Sequence, residues 1–257
     1  MYPVLLQICF FKIFTYGLFV ASGFFVAIVL AANRAKEEGM DQQQILDLCF
    51  YILVSSIVGA RILYIIVEYK YFLAKPLDAF KFWNGGLVFY GGLIGAVGVS
   101  IYYLRKNQLP IWKVGDIMAP SIAIGQSIGR WGCFFAGCCY GVRTDVPWAI
   151  IFTDPRALAP LDVPLHPTQI YDSLNTFLIY LFLIWLRKRK TFDGQVFWVY
   201  GILYSIGRFV VEIFRGDDRG YAVAEMLSTS QFIGIFTLAV SVFMLLKLRS
   251  NTALKVR

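Results

Sequence analysis

The sequence predicts an all-α integral membrane protein: a bundle of seven transmembrane helices with an outer-face loop region, its N-terminus outside and its C-terminus in the cytoplasm. Three observations carry that prediction. Of 257 residues, 58% are hydrophobic and the mean hydropathy is +0.65, whereas soluble domains hold roughly 45–50% apolar residues. Seven stretches approach the roughly 20 apolar residues that a bilayer crossing needs. The Lys and Arg residues divide unevenly between the two sets of connecting loops.

The predicted spans are 14–33, 45–68, 86–105, 112–130, 168–186, 195–213 and 228–247. The first, second, fifth and seventh are clear from hydropathy. The third is rich in glycine, and the fourth is short and carries Gln126 and Ser127. Small residues let helices approach closely in lipid, so both are expected inside the bundle. The N-terminal segment reads as a retained span and not a cleavable signal, because its apolar run continues past Leu30 without a small-residue cleavage pattern.

Seven spans put the termini on opposite sides. One loop set holds thirteen Lys and Arg, packed into short loops around positions 34–36, 105–113, 187–190 and the tail from Lys247; the other holds eight, spread over longer segments. The positive-inside rule then assigns the C-terminus to the cytoplasm. It also explains the net charge of +8 without a nucleic-acid partner. Arg61, Arg130 and Arg208 fall in neither set, because they lie inside or at the ends of apolar runs. A charge within the membrane costs at least a few kcal/mol, so it normally has a partner or a task.

Polar chemistry gathers in two outer stretches, 131–167 and 214–227, both punctuated by Gly and Pro. Gly129-Arg130-x-Gly132 reads as a frame in which glycines allow close approach and free N–H groups, while the guanidinium suits a phosphodiester. The bland alternative is an arginine that snorkels from a helix end. Arg208 and Glu212 are four apart and share a helix face, which Tyr204 extends; they are candidates for a salt bridge or a site. Arg61 follows Gly59 and Ala60 and is expected either to bond a carbonyl or carboxylate in helix packing or to support a site. His166, the only histidine, opens H-P-T-Q-I-Y-D. It is a candidate general base or a hydrogen bond that holds the loop.

Five cysteines, an odd number, argue against a disulfide framework. Cys9 and Cys49 read as core residues. Cys133, Cys138 and Cys139 are spaced C-x4-C-C with no second half, a poor match to zinc spacings. No metal and no cofactor are therefore expected, and a disulfide or simple packing is favoured for these cysteines.

Read together, these blocks resemble the prolipoprotein diacylglyceryl transferase family. The resemblance rests on Tyr16-Gly17, Gly59-Ala60-Arg61, the run G-G-L-V-F-Y-G-G-L-I-G over 85–95, Asp116-x-x-Ala-Pro120, Gly129-Arg130-x-Gly132-x-Phe134, His166 to Tyr171, and Tyr204-x3-Arg208-F-x-x-Glu212-x-F-Arg215. It implies one transmembrane transferase domain over 1–257, in the inner membrane of a bacterium. It further implies transfer of the diacylglyceryl group of phosphatidylglycerol to the lipobox cysteine of a preprolipoprotein, with glycerol phosphate as the other product. The expected partners are phosphatidylglycerol, preprolipoprotein signal peptides and membrane lipids.

Carried over by position, Arg130 and Arg208 would hold the headgroup, with Tyr90 and His166 as candidate proton acceptors. Tyr16, Arg61, Gly129, Gly132, Gly141, Tyr204 and Glu212 would line or support the site. The sequence departs from the family where Tyr90 replaces the common His, and where Cys133 and Cys138 replace an amide and a carboxylate. Two other readings compete. A membrane thiol–disulfide oxidoreductase would need a C-x-x-C pair, which the sequence lacks. A non-catalytic anionic-lipid-binding member of the family would keep the arginines.

Overall fold

The computed structural model describes residues 2–8, 11–80, 85–217, 221–223 and 227–256. Helices form at all seven predicted stretches: α1 (Thr15–Glu37), α2 (Gln42–Val67), α4 (Phe89–Lys106), α5 (Ile111–Ala136), α6 (Thr168–Arg187), α7 (Gln195–Ile213) and α8 (Thr229–Val256). A short α3 (Tyr69–Ala74) and a 3-10 turn (Pro76–Phe80) follow α2. Among the described residues, five helices are long and apolar enough to cross a membrane: Thr15–Glu37, Gln42–Val67, Thr168–Arg187, Gln195–Ile213 and Thr229–Thr252. The protein is thus a helical, multi-pass membrane protein.

Three antiparallel strand pairs are added. They are β1 (Val4–Ile8) with β2 (Phe11–Phe14), β3 (Ile150–Ile151) with β4 (Pro164–Leu165), and β5 (Tyr221–Val223) with β6 (Leu227–Ser228). The first pair was not expected. The apolar run before α1 forms a hairpin, and the helix starts only at Thr15. The second pair belongs to the stretch 131–167, where Phe152, Ala159 and Leu165 form a small core of their own.

The chain gathers into two compact units, Met1–Ala31 with Gly115–Arg257, and Ala32–Val114. In the second unit α2 and α4 pack backbone to backbone. A Cβ at Gly95 would stand 2.5 Å from the Ser55 carbonyl oxygen, and one at Gly92 2.9 Å from that of Ser56. The expectation of an interior α4 holds for this glycine face alone; Ile94, Val97 and Tyr102 on the same helix are exposed. Cys49 is buried in α2 as expected, while Cys9 lies outside the described residues.

In the first unit α5 is the buried helix, with Asp116, Ala119, Ser121, Ala123 and Ser127 all nearly inaccessible. It meets α1 through small residues: a Cβ at Gly23 would fall 2.6 Å from the Gly125 carbonyl oxygen. Asp116 accepts hydrogen bonds from the backbone N–H groups of Gly194 (2.9 Å) and Phe197 (3.0 Å). A carboxylate on α5 thereby caps the first turn of α7, which has no cap of its own.

Candidate active site

The site grows from the α5–α6 seam. Ser127 Oγ donates to the Ser173 carbonyl and Ser173 Oγ to the Ser127 carbonyl, each at 2.9 Å. This reciprocal pair fixes the register of the two helices. One residue before Ser173 is Asp172; three after Ser127 is Arg130. Arg130 Nε reaches Asp172 Oδ2 at 3.3 Å.

Two more arginines meet the same oxygen. Arg208 Nη1, on α7, lies 3.8 Å from Asp172 Oδ2, and Arg215 Nη1 lies 4.0 Å from it. Arg208 Nη2 also contacts Glu212 Oε2 at 2.6 Å, the pair expected from their spacing. Ser228 Oγ donates to the other Glu212 oxygen at 3.0 Å. Arg215 directs its fork at Asp217, with both bonds at 2.9 Å. Three guanidinium groups therefore face three carboxylates, one of which is shared by all three.

What remains unspent decides the chemistry. Arg208 Nη1 is buried without a hydrogen-bond partner among the described residues. Among the described residues Arg130 is paired through Nε alone, with Asp172, and its side chain is 23% exposed. Such donors, in a site lined by apolar helices, suit an anion with several oxygens.

The glycine frame differs from its expected form. Gly129, Arg130 and Gly132 lie within α5, which runs on to Ala136, so their N–H groups belong to the helix ladder and do not face a ligand. Gly132 instead serves packing: a Cβ there would stand 3.0 Å from the Tyr16 carbonyl oxygen on α1. A Cβ at Gly129 would meet nothing within 4 Å. Tyr16 is 44% exposed at that seam. Tyr204 stacks on Tyr200 with centroids 5.8 Å apart, one turn from Arg208.

Gly141 stitches the loop after α5 to the chain just before α6 and just after α7. Its N–H donates to the His166 carbonyl at 3.0 Å, and the Val142 N–H to the Phe214 carbonyl at 2.9 Å. A Cβ at Gly141 would stand 2.5 Å from both His166 Cβ and His166 O, and 2.7 Å from Phe214 O. No flexible side-chain end is available to yield. Gly141→Ala is expected to cut transfer at least about tenfold and to lower the melting temperature in detergent, because overpacking of this kind costs roughly 1–3 kcal/mol. Thermal unfolding of the purified variant beside a transfer assay checks this.

His166 is held, as its second reading expected. Its Nδ1 lies 3.1 Å from the Tyr171 hydroxyl, which also accepts from Trp148 Nε1 at 2.7 Å. Phe214 packs against its ring at 5.2 Å. With Nδ1 engaged, only Nε2 is left for proton transfer. Arg61 is also committed: its guanidinium donates to the carbonyls of Asp78, Ala79, Gly85 and Gly86 at 2.5–3.1 Å and lies over the Tyr64 and Phe72 rings. It ties a loop within its own unit through carbonyls. Tyr90, on α4 of that unit, is 41% exposed against Phe89.

Sequence reasoning reaches Asp172 only as the end of a motif and leaves Arg215 out of the site. The signal for Asp172 is an acidic residue just inside an apolar span, which needs a partner by the same rule that singles out the arginines. Within the stretch 214–227, Asp218, Arg219, Gly220 and 224–226 lie outside the described residues.

The fold and the cluster define a multi-pass membrane protein whose α5, α6 and α7 bring arginines and carboxylates together. Comparison with known proteins narrows this. The profile of the prolipoprotein diacylglyceryl transferase family matches residues 3–247, and the chain belongs to that family. It is 40% identical over 244 residues to phosphatidylglycerol–prolipoprotein diacylglyceryl transferase of Clostridium tetani, covering 95% of this chain and 96% of that protein. A second transferase of the same name from Clostridium perfringens is 40% identical over 88% of each chain. The Synechococcus elongatus protein is 35% identical over 88% of this chain and 82% of its own.

Proposed function

We propose that this protein transfers the diacylglyceryl group of phosphatidylglycerol to the lipobox cysteine thiol of prolipoproteins. It acts as one transferase domain in the bacterial inner membrane, with seven spans, its N-terminus outside and its C-terminus in the cytoplasm. The observation that carries this reading is the convergence of Arg130, Arg208 and Arg215 on Asp172 with donors left over. Family membership supplies the substrates.

In the reaction a C–S bond forms to the glyceryl carbon as its C–O bond to phosphate breaks. The thiol loses its proton and glycerol phosphate departs. The nucleophile comes with the peptide, so the enzyme needs no cysteine of its own for this step. Its task is to favour negative charge on the departing phosphate and on the attacking sulfur. Arg130 and Arg208 fit that task, since fixed guanidinium groups stabilise developing charge and lower the pKa of a nearby thiol. Tyr16 and Tyr204 flank the reacting groups. Glu212 and Asp172 aim the arginines. The thiol proton goes to Tyr90, to Nε2 of His166, or to no single residue.

Purified protein given phosphatidylglycerol labelled in its acyl chains and a lipobox peptide is expected to place label on the peptide's cysteine. It is also expected to restore growth in cells depleted of their own transferase. Binding of the lipid without label transfer would overturn the enzymatic reading in favour of a lipid-binding one.

A further inference from the structure

We infer that Cys133, Cys138 and Cys139 form a three-thiolate site for a soft, thiophilic cation of the Cu(I) type. The sulfur atoms of the three all lie within 4.8 Å of one another, although the C-x4-C-C spacing gives no hint of it. The backbone explains how they meet. Helix α5 ends in a Schellman turn: Gly137 has φ +71°, its N–H bonds the Phe134 carbonyl at 3.2 Å, and the Cys138 N–H bonds the Cys133 carbonyl at 3.2 Å. That pattern folds the residue after the left-handed glycine over the third residue from the helix end. Here those two positions are Cys138 and Cys133. Cys139, with φ +63°, turns back and completes the triangle.

The turn is held from outside as well. Gln169 Nε2 donates to the Cys138 carbonyl at 2.8 Å and Thr168 Oγ1 to the Cys139 carbonyl at 2.6 Å. Both donors sit in the first turn of α6 and are almost fully buried. The site therefore rests on two helices and not on a free loop. Metal–sulfur bonds of about 2.3 Å would set the sulfurs roughly 3.8–4.0 Å apart, so a small side-chain adjustment from the observed spacing closes the ring.

Three sulfurs, with no fourth His, Cys, Asp or Glu grouped with them among the described residues, favour a cation satisfied by trigonal soft coordination over zinc, which is nearly always four-coordinate in structural sites. Binding displaces the thiol protons to solvent, and no electron is transferred. None of the three cysteines is assigned a part in the transfer reading, but Arg215 donates a hydrogen bond to Cys139, so copper binding and label transfer are read out separately.

The test uses the reduced full chain in detergent, without oxygen, titrated with Cu(I) against a chromophoric Cu(I) chelator. One equivalent is expected to be withheld from the chelator. Withholding is expected to be lost in Cys133→Ser, Cys138→Ser and Cys139→Ser, and retained in Cys49→Ser, whose thiol is buried in α2. Cys→Ala replacements serve where a serine variant fails to elute as a folded species. Wild-type protein that withholds no copper overturns the proposal. So does withholding that survives loss of any one of the three thiols. Neither result touches label transfer to a lipobox peptide, which is measured separately.

Discussion

Arg208→Ala is expected to lower diacylglyceryl transfer by at least about 100-fold in protein that remains folded, because a preorganised donor facing developing negative charge is worth roughly 2.7–4 kcal/mol. Arg208 Nη1 is a buried donor with no hydrogen-bond partner among the described residues, while Nη2 is spent on Glu212. The simple truncation has a second effect. It leaves Glu212, whose side chain is 6% exposed, without its 2.6 Å ion contact, and an orphaned buried charge destabilises by roughly 3–5 kcal/mol. Arg215 Nε, 3.6 Å from the same carboxylate, offsets part of that. The decisive protein is therefore Arg208→Ala combined with Glu212→Gln, which removes the orphaned charge along with the guanidinium. Its melting temperature is expected to recover towards wild type while transfer stays at the level of Arg208→Ala. Arg208→Lys keeps the charge but not the fork, and is expected to remain well below wild type. Near-normal transfer in the double variant would make Arg208 a structural residue and put the reaction elsewhere.

The parts of this protein that sequence reveals are those fixed within one element. Hydropathy located every long helix, because a run near 20 apolar residues has few other uses. It placed the ends less well: α1 continues through Arg34 and Lys36 to Glu37 and α5 through Arg130 to Ala136, since a helix does not stop where its apolar run stops. The Arg208–Glu212 pair was legible because four residues is one helical turn. The helix start was predicted to within one residue, but the hairpin before Thr15 was not, because an apolar hairpin and an apolar coil have the same composition.

Contacts between elements were hidden for a plain reason. Arg130 and Asp172 are far apart in the chain, and only the Ser127–Ser173 bonds reveal the register that joins them. The cysteines were discounted by rules that count separated ligand pairs, whereas a helix-terminating turn brings Cys133 and Cys138 together without any such pair.

Asp172 is the residue whose loss is expected to reach furthest. It is 2% exposed, and its Oδ2 sits between three guanidinium groups at 3.3, 3.8 and 4.0 Å without an aligned hydrogen bond to any. That geometry is one of balance: a single negative charge holds three positive ones near a common point. Asp172→Asn keeps the shape and removes the charge. Glu212 and Asp217 still face Arg208 and Arg215, but Arg130 keeps no carboxylate among the described residues, and the three cations repel one another in a poorly screened place. The expected cost is roughly 3–5 kcal/mol, read as a fall in melting temperature of about 10 °C, with transfer reduced at least about 100-fold as the arginines lose their aim. A polyvalent anion should restore part of what the substitution removes, because it supplies the missing negative charge at the same point. Glycerol phosphate is thus expected to raise the melting temperature of Asp172→Asn by more than it raises that of wild type. Equal shifts in the two proteins would mean that the anion binds away from the arginines, and that Asp172 holds the α5–α6 seam without shaping the site.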